Sequence, residues 1–297
     1  MSSLSLFAVC VFIWGTTWFA ITAQLPVIAP EYGVAVRFGL SALALMLWCR
    51  ARGLPLRFSA RMHRLLAAQG LLGFFGSYVC VYQAERHVLS GIVAVGFAAS
   101  PLVTLATARL LLGAPMSRRT AAGGAAGVAG VVMIFAHEFA RLGEGTSALL
   151  GVGFTATAVL LSSLANMAVT VYQREGVHGW GPLAWAMGYG AAASALLGLV
   201  LGRPWGWVWS WPFLGSLAWL ALAGSVLAFG AFNVLIHRIG AARAGHIGVM
   251  TPVVALLISS VFEGFHWTAL TLGGVALALA GNAVALWPRR PADARAH

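Results

Sequence analysis

Lysine is absent from the 297-residue chain, and charged residues of either sign make up only 8% of it. A soluble domain carries about 25% charged residues, so this shortage excludes a water-soluble enzyme and a disordered chain. Hydrophobic residues reach 60%, and the mean hydropathy is +0.88. The class that remains is a membrane protein with several spans.

The formal net charge of +11 does not indicate a nucleic-acid-binding protein. The basic residues are all arginine, and most lie in short loops between apolar runs, where they carry topology information. The three cysteines, Cys10, Cys49 and Cys80, fall inside apolar segments and resemble small buried hydrophobes. The sequence therefore predicts no nucleic-acid partner, no metal site and no cofactor.

Ten continuous apolar segments predict an all-α integral membrane protein. Each must be a helix, because lipid offers no partner to a free backbone N–H or C=O group, and the runs do not alternate as barrel strands do. The predicted spans cover 4–24, 31–49, 65–84, 89–112, 120–136, 147–172, 182–202, 212–236, 244–263 and 268–287.

Arginine counts predict the orientation of the chain in a bacterial cytoplasmic membrane. With the N-terminus in the cytoplasm, thirteen arginines lie in cytoplasmic loops or the tail and three lie outside, namely Arg86, Arg141 and Arg203. This bias follows the positive-inside rule and predicts that both termini are cytoplasmic.

The chain also contains an internal repeat. At an offset of 151 residues several identical pairs coincide: Leu71/Leu222, Gly73/Gly224, Pro101/Pro252, Val103/Val254, Gly113/Gly264, Gly123/Gly274 and Gly130/Gly281. Two five-helix repeats, 1–142 and 147–290, are therefore expected, followed by a cytoplasmic tail over 291–297. Because five is odd, the second repeat must lie upside down in the membrane, and inverted repeats are typical of secondary transporters.

Particular residues give this architecture a family resemblance. Trp14-Gly15 in span one, Arg37 in span two and the paired Pro101 and Pro252, together with Gly-rich spans five and ten, resemble the EamA-type branch of the drug/metabolite transporter superfamily. The aromatic interior resembles the bacterial aromatic amino-acid exporters within it. Span six departs from the pattern, since Asn166 stands where Trp14 stands in the first half.

Candidate substrate-binding residues are polar or aromatic side chains at mid-depth, where such transporters bind substrate. They are Trp14, Trp18, Tyr78, Tyr82, Ser100, Asn166, Trp185, Tyr189, Phe229, Asn233 and Thr251. Each has a structural alternative. Trp18 and Tyr82 could be interface anchors, Ser100 and Thr251 could bond their own helix backbone, and the asparagines could join helices.

Proline and glycine positions suggest hinges and close packing. Pro101 and Pro252 each remove a helix hydrogen bond, and their matching positions favour hinges over static kinks. Gly123 and Gly127 have the spacing that lets helices approach closely. We interpret the glycines of spans five and ten as packing sites, within the chain or in a homo-oligomer.

The few acidic residues lie in loops or at span ends, so no buried carboxylate is expected to drive proton coupling. His246 is the only titrating substitute, with packing as its alternative. Arg37 could meet a carboxylate, or it could pair with Glu31 or a helix carbonyl.

The sequence thus predicts a non-enzymatic exporter of small amphipathic metabolites, foremost aromatic or other hydrophobic amino acids, working by alternating access. One alternative is an exporter of lipophilic cations or other drugs on the same fold. More distant alternatives are a passive channel or assembly subunit and an intramembrane serine protease, to which Ser90 near His87 would point.

Overall fold

The computed structural model describes residues 1–113, 117–142, 146–239, 244 and 246–286, except the side chains of 137–142, 146, 233, 236, 237 and 286. The first half forms five helices: α1 (Ser3–Thr22), α2 (Pro30–Ala51), α3 (Ala60–Ala84), α4 (Ser90–Leu112) and α5 (Arg118–Leu142). The second half forms α6 (Thr146–Arg174), α7 (Trp180–Val200), α8 (Trp211–Ala218 continued by Trp219–Leu227 and Ala228–Ile239), α9 (Ile247–Phe262) and α10 (Ala269–Leu286).

The predicted all-helical membrane architecture is confirmed over the described ranges, which contain no strand. Eight of the helices are long and apolar enough to cross a membrane, whereas α9 and α10 are apolar but shorter. The helix order follows the ten predicted segments. Among the helix starts, the largest difference is at α3, which begins at Ala60 instead of residue 65 because Ser59 caps it by accepting from the backbone N–H of Met62 at 3.2 Å.

Helices from the two halves interlock. Helix α5 packs along α10 and α2 packs along α7, and α4 contacts α9. Most of the further contacts between halves form matching pairs. Helix α1 contacts α9 as α4 contacts α6, α1 contacts α8 as α3 contacts α6, and α2 contacts α8 as α3 contacts α7. Neither half is therefore a separate globular body, and the interior lies between α1, α3, α4, α6, α8 and α9.

Close backbone approach explains the glycines of α5 and α10. A Cβ atom at Gly123 would lie 2.6 Å from the Gly281 carbonyl oxygen, and one at Gly274 would lie 2.7 Å from the Gly130 carbonyl oxygen. Only glycine permits this spacing. The small-residue face is thus used within the chain, and an oligomer would need another surface of these helices.

Two helices, each the third of its half, contain a wider π-helical stretch, Gly70–Ser77 in α3 and Trp219–Leu227 in α8. The repeat pair Gly73/Gly224 lies inside these two stretches. A π turn releases backbone carbonyls from the regular α-helical ladder and is frequent at functional sites.

The helix bundle has two ends, the terminal end and the far end. The terminal end is where the chain begins and where Arg61, Glu175 and Arg238 lie. The far end is where α3 and α9 finish and α4 begins; it contains Gln24, Glu31, Tyr82, Glu85, Ser90 and Glu263.

Candidate functional site

An aromatic chain crosses the interior and connects the two halves. The ring of Trp14 on α1 lies 5.2 Å from that of Phe229 on α8, which lies 6.4 Å from Phe74 on α3. Phe74 in turn stacks 6.4 Å from Tyr78. Three predicted site residues, Trp14, Tyr78 and Phe229, are thus brought together. Phe74 joins them and was not predicted.

A buried arginine lies against this aromatic chain. The Arg37 guanidinium carbon is 4.8 Å from the centre of the Tyr78 ring and 5.0 Å from that of Phe38. Arg37 is 2% exposed, and its Nε and Nη1 atoms have no hydrogen-bond partner among the described residues. Glu31, which the sequence suggested as a partner of Arg37, instead has its Oε1 atom 3.6 Å from the Nε atom of Arg203. Arg37 therefore has unused donors, a feature of an anion-binding group.

The π stretch of α8 contributes a backbone acceptor to the same region. Trp14 donates its indole N–H to the carbonyl oxygen of Gly224 at 3.0 Å, and Ser41 donates to that of Ala221 at 3.0 Å. Neither π stretch was predicted from the sequence. The three glycines Gly70, Gly73 and Gly76, three residues apart, were the available signal.

Helix α4 changes its geometry just before Pro101. Residues Phe97–Ala99 form a 3₁₀ turn, in which the backbone N–H of Ser100 bonds to Phe97. Pro101 lacks the N–H that would continue the regular ladder. The Ser100 hydroxyl is buried and has no hydrogen-bond partner in the described part of the chain, so its hydrogen-bonding capacity is unused in this conformation.

Asn282 of α10 supports this break and was not predicted. Its side-chain amide donates to the carbonyl oxygens of Ala98 at 2.9 Å and Ala278 at 3.1 Å. Asn282 is 2% exposed. The α5–α10 pair is therefore tied to the irregular turn of α4.

The second predicted hinge differs from the first. Helix α9 continues through Pro252, and Thr251 donates its hydroxyl to the Ile247 carbonyl at 2.7 Å. Thr251 thus has the structural bond considered as its alternative. The matched hinge role of Pro101 and Pro252 remains a prediction.

Trp18 and Tyr82 lie away from the aromatic chain. Trp18 packs 5.1 Å from Phe97, at the 3₁₀ turn. Tyr82 is fully buried and donates its hydroxyl to Gln24 at 3.0 Å. Tyr82 is therefore neither a lipid-interface anchor nor accessible to a ligand in this conformation.

Trp185 and Tyr189 form a separate cluster at the terminal end. Trp185 donates its indole N–H to the Leu56 carbonyl at 2.9 Å, and Tyr189 shares a 2.9 Å hydrogen bond with His63. The structure does not join these residues to the aromatic chain.

Asn166 is exposed, contrary to the expectation that it is enclosed by the bundle. It lies between Ser163, which accepts from Thr104 of α4 at 3.2 Å, and Ala165, which packs against Gly73 of α3. With 3.6 residues per turn, Asn166 points along the seam between α3 and α4. The Asn233 side chain lies outside the described residues.

The far end corrects the expectation that no carboxylate is buried. Glu31 is 2% exposed and Glu85 is 8% exposed, although both stand at helix ends. Loop 201–210 covers the start of α2, and the ends of α3, α4 and α9 pack together, so position at a helix end did not ensure solvent contact. Ser90 bonds Glu263 whereas His87 bonds Ser147, which gives no support to a Ser–His pair.

An apolar cavity of about 400 Å³ lies between α4, α5 and α6. Its lining includes Gly96, Val103, Val131, Phe135 and Val159. None of the predicted site residues lines it, and it is almost without polar groups, which suits lipid tails better than a polar metabolite.

These features define a multi-pass membrane protein with a polar and aromatic interior. The EamA-like transporter family model matches residues 1–136 and 153–287, so the chain belongs to that family and is a membrane transporter. Similar relatives are called "Uncharacterized inner membrane transporter YedA" in Escherichia coli strain K12 and in E. coli O157:H7; each is 28% identical over 97% of this chain and 92% of its own length. A solved crystal structure superposes with a TM-score of 0.70 over 96% of each chain at 20% identity, which shows the fold alone.

Proposed function

We propose that the protein exports aromatic or other hydrophobic amino acids across the bacterial inner membrane by alternating access. The observation that carries this proposal is the Arg37 guanidinium beside the Tyr78 ring, whose Nε and Nη1 atoms have no hydrogen-bond partner among the described residues. A cation next to an aromatic surface is complementary to a carboxylate next to an aromatic or apolar side chain.

The binding chemistry follows from these neighbours. Arg37 would hold the substrate carboxylate through its free donors. Tyr78, Phe74 and Phe229 would contact the substrate ring, at about 0.5–1.5 kcal/mol per aromatic pair beyond burial. The Ser100 hydroxyl is available for the amino group. Trp14 already donates to Gly224 and would contribute only its ring.

An inverted repeat is supported by contacts that map onto each other. The Gly123–Gly281 approach becomes the Gly274–Gly130 approach when each residue is shifted by the 151-residue offset. Since α5 and α10 run antiparallel here, the implied two-fold axis is perpendicular to them and lies in the membrane plane. Such symmetry lets two halves exchange conformations.

We assign the terminal end to the cytoplasm and the far end to the periplasm. Arginine bias supports this, because the exposed Arg61 and Arg238 lie at the terminal end. The name of the E. coli relative includes "inner membrane".

The described conformation fits an outward-closed, inward-accessible state. Polar contacts close the far end, and exposed Asn166 faces the seam between α3 and α4 near the terminal end. Substrate would enter along this seam and reach the aromatic chain.

A second candidate, export of lipophilic cations, is favoured by the buried carboxylate of Glu85. The cation Arg37 opposes it, since like charges repel in a medium of low dielectric constant. The two candidates make opposite predictions for a ligand pair that differs only in the carboxylate.

The test is competition by phenylalanine and by phenethylamine, its decarboxylated cation, against phenylalanine counterflow in proteoliposomes. We expect phenylalanine to compete better, and Arg37→Gln to remove most of that preference. Arg57→Gln, at an exposed loop position, is the matched control and should keep it. Stronger competition by phenethylamine would favour the cation exporter and overturn the amino-acid assignment.

A further inference from the structure

A hydrogen-bonded latch closes the far end between the two halves. Glu263, which follows α9, accepts from the Ser90 hydroxyl at 2.6 Å and from the Ser90 backbone N–H at 3.3 Å. Ser259 also donates to Glu263, and it accepts from the Gly91 backbone N–H at 3.0 Å. These bonds join the start of α4 to the end of α9, so they must break if the two helices separate at this end.

The packing around the latch is close. A Cβ atom at Gly91 would lie 2.6 Å from the Ser259 hydroxyl and 3.1 Å from the Ala255 carbonyl oxygen. The two helices therefore approach closely at Gly91, and a charge buried beside this contact costs free energy unless it is paired.

Glu85 is enclosed beside this latch without a partner. It is the first residue after α3, it is 8% exposed, and neither carboxylate oxygen has a hydrogen-bond partner among the described residues. Two charged groups are close enough to affect it, Glu263 from α9 and Arg37 from α2. Tyr82 on its own helix is bonded to Gln24 instead.

The protonated form of Glu85 is favoured in this conformation. Burial is the largest cause that raises the pKa of Glu85 well above its ordinary value; the Glu263 charge adds to it, and Arg37 opposes it. Glu263 already accepts hydrogen bonds from Ser90 and Ser259, whereas the Glu85 oxygens have no partner among the described residues, so the additional proton is placed on Glu85.

We propose that Glu85 and Glu263 form a proton-binding site that locks the far end shut. The closed state holds one proton on Glu85; when α3, α4 and α9 separate, water reaches Glu85 and the proton leaves. Ionised Glu85 then repels Glu263 and keeps the end open. The proposal rests on the transporter alternating between two conformations, but not on any substrate class.

Proton linkage fixes the direction of the effect. The closed state binds the additional proton, so closure is favoured in acid and is lost as the pH rises through the closed-state pKa of Glu85. Between the pKa values of the open and closed states, the closed-to-open ratio should change about tenfold per pH unit.

The experiment measures the width of the far end by double electron–electron resonance in lipid nanodiscs, without substrate. Spin labels replace Leu149 on α6 and Val261 on α9, which are 64% and 74% exposed. The three free cysteines are first changed to alanine. The distance distribution is recorded from about pH 4 to about pH 8, a range that includes the ordinary Glu pKa of about 4.3 and raised values above it.

We expect the long-distance population to grow with pH in the unmodified background. Glu85→Gln, which mimics the protonated side chain, should remain closed at every pH. Glu175→Gln removes an exposed carboxylate at the terminal end and should keep the full pH response. An unchanged pH response in Glu85→Gln, or none in the background protein, would overturn the proposal.

Glu263→Gln provides a second variant in case Glu85→Gln does not fold. Loss of the neighbouring charge should move the pH midpoint of opening toward acid, and an unmoved midpoint would contradict the proposal. Closure that follows sodium concentration at constant pH would also contradict it and would indicate a metal-cation site. Because no substrate is present, failure of phenylalanine transport leaves this result unaffected.

Discussion

Two glycines on the same face of α5 offer a sharp test of the α5–α10 contact. A Cβ atom at Gly123 would lie 2.6 Å from the Gly281 carbonyl oxygen and 2.7 Å from the Ala285 backbone nitrogen. A Cβ atom at Gly127 would meet nothing nearer than the Asn282 amide at 3.7 Å, an ordinary contact. Gly123→Ala should therefore force the backbones apart, whereas Gly127→Ala should fit.

The magnitude follows from two opposing contributions. Each substitution gains about 0.8–1.0 kcal/mol of helix propensity, which cancels when the two variants are compared. Overpacking at Gly123 costs about 1–3 kcal/mol. Gly123→Ala should thus be less stable than Gly127→Ala by about 1–3 kcal/mol. The added methyl group would meet backbone atoms of α10, which cannot move aside as the end of a flexible side chain could.

The assay is reversible unfolding of both variants in bicelles, with the free energy of unfolding measured under identical lipid conditions. Gly127→Ala is the control, since it changes the same residue type one turn away. Equal stabilities, or a less stable Gly127→Ala, would refute the close approach of α5 and α10 and the two-fold relation that rests on it.

Three further predictions follow from single contacts. Ser100→Ala should leave stability unchanged, because the hydroxyl has no partner among the described residues, yet should weaken phenylalanine binding in a counterflow assay. Asn282→Leu leaves the Ala98 carbonyl without its side-chain donor and should lower the free energy of unfolding by about 1–3 kcal/mol. A cysteine that replaces Arg57 should react with an impermeant thiol reagent only from the cytoplasm. A cysteine that replaces Trp209, which is 84% exposed, should react only from the periplasm. Reaction of both cysteines from the same side would contradict the proposed orientation.

The helices were predictable from the sequence because lipid imposes a single solution on a continuous apolar run. The offset of 151 residues was also visible in the sequence, since Gly123 and Gly130 pair with Gly274 and Gly281 at that spacing. The contacts between those glycines could not be predicted, because hydropathy does not indicate which helices pack against each other.

Part of the candidate site was predictable for a similar reason. Trp14, Tyr78 and Phe229 were chosen as aromatic residues at mid-depth, and the structure joins them into one chain. Asn166 was expected to be enclosed because an amide is costly in lipid, but a cleft also satisfies that requirement and leaves the side chain exposed.

The π stretches and the buried acids could not be predicted. A π turn depends on tertiary contacts such as the bond from Trp14 to Gly224, so the spacing of Gly70, Gly73 and Gly76 is a signal that does not specify a π turn by itself. From the sequence, Glu85 is expected to be a solvated residue at a helix end. Its burial results from the packing of α3, α4 and α9, which come from different parts of the chain.

Counterflow of labelled phenylalanine into proteoliposomes tests the proposed export of aromatic amino acids most directly. We predict saturable uptake that is blocked best by aromatic and large apolar amino acids, and poorly by organic cations and nucleotide sugars. Absence of uptake by protein shown to be folded, or uptake blocked best by organic cations, would contradict it.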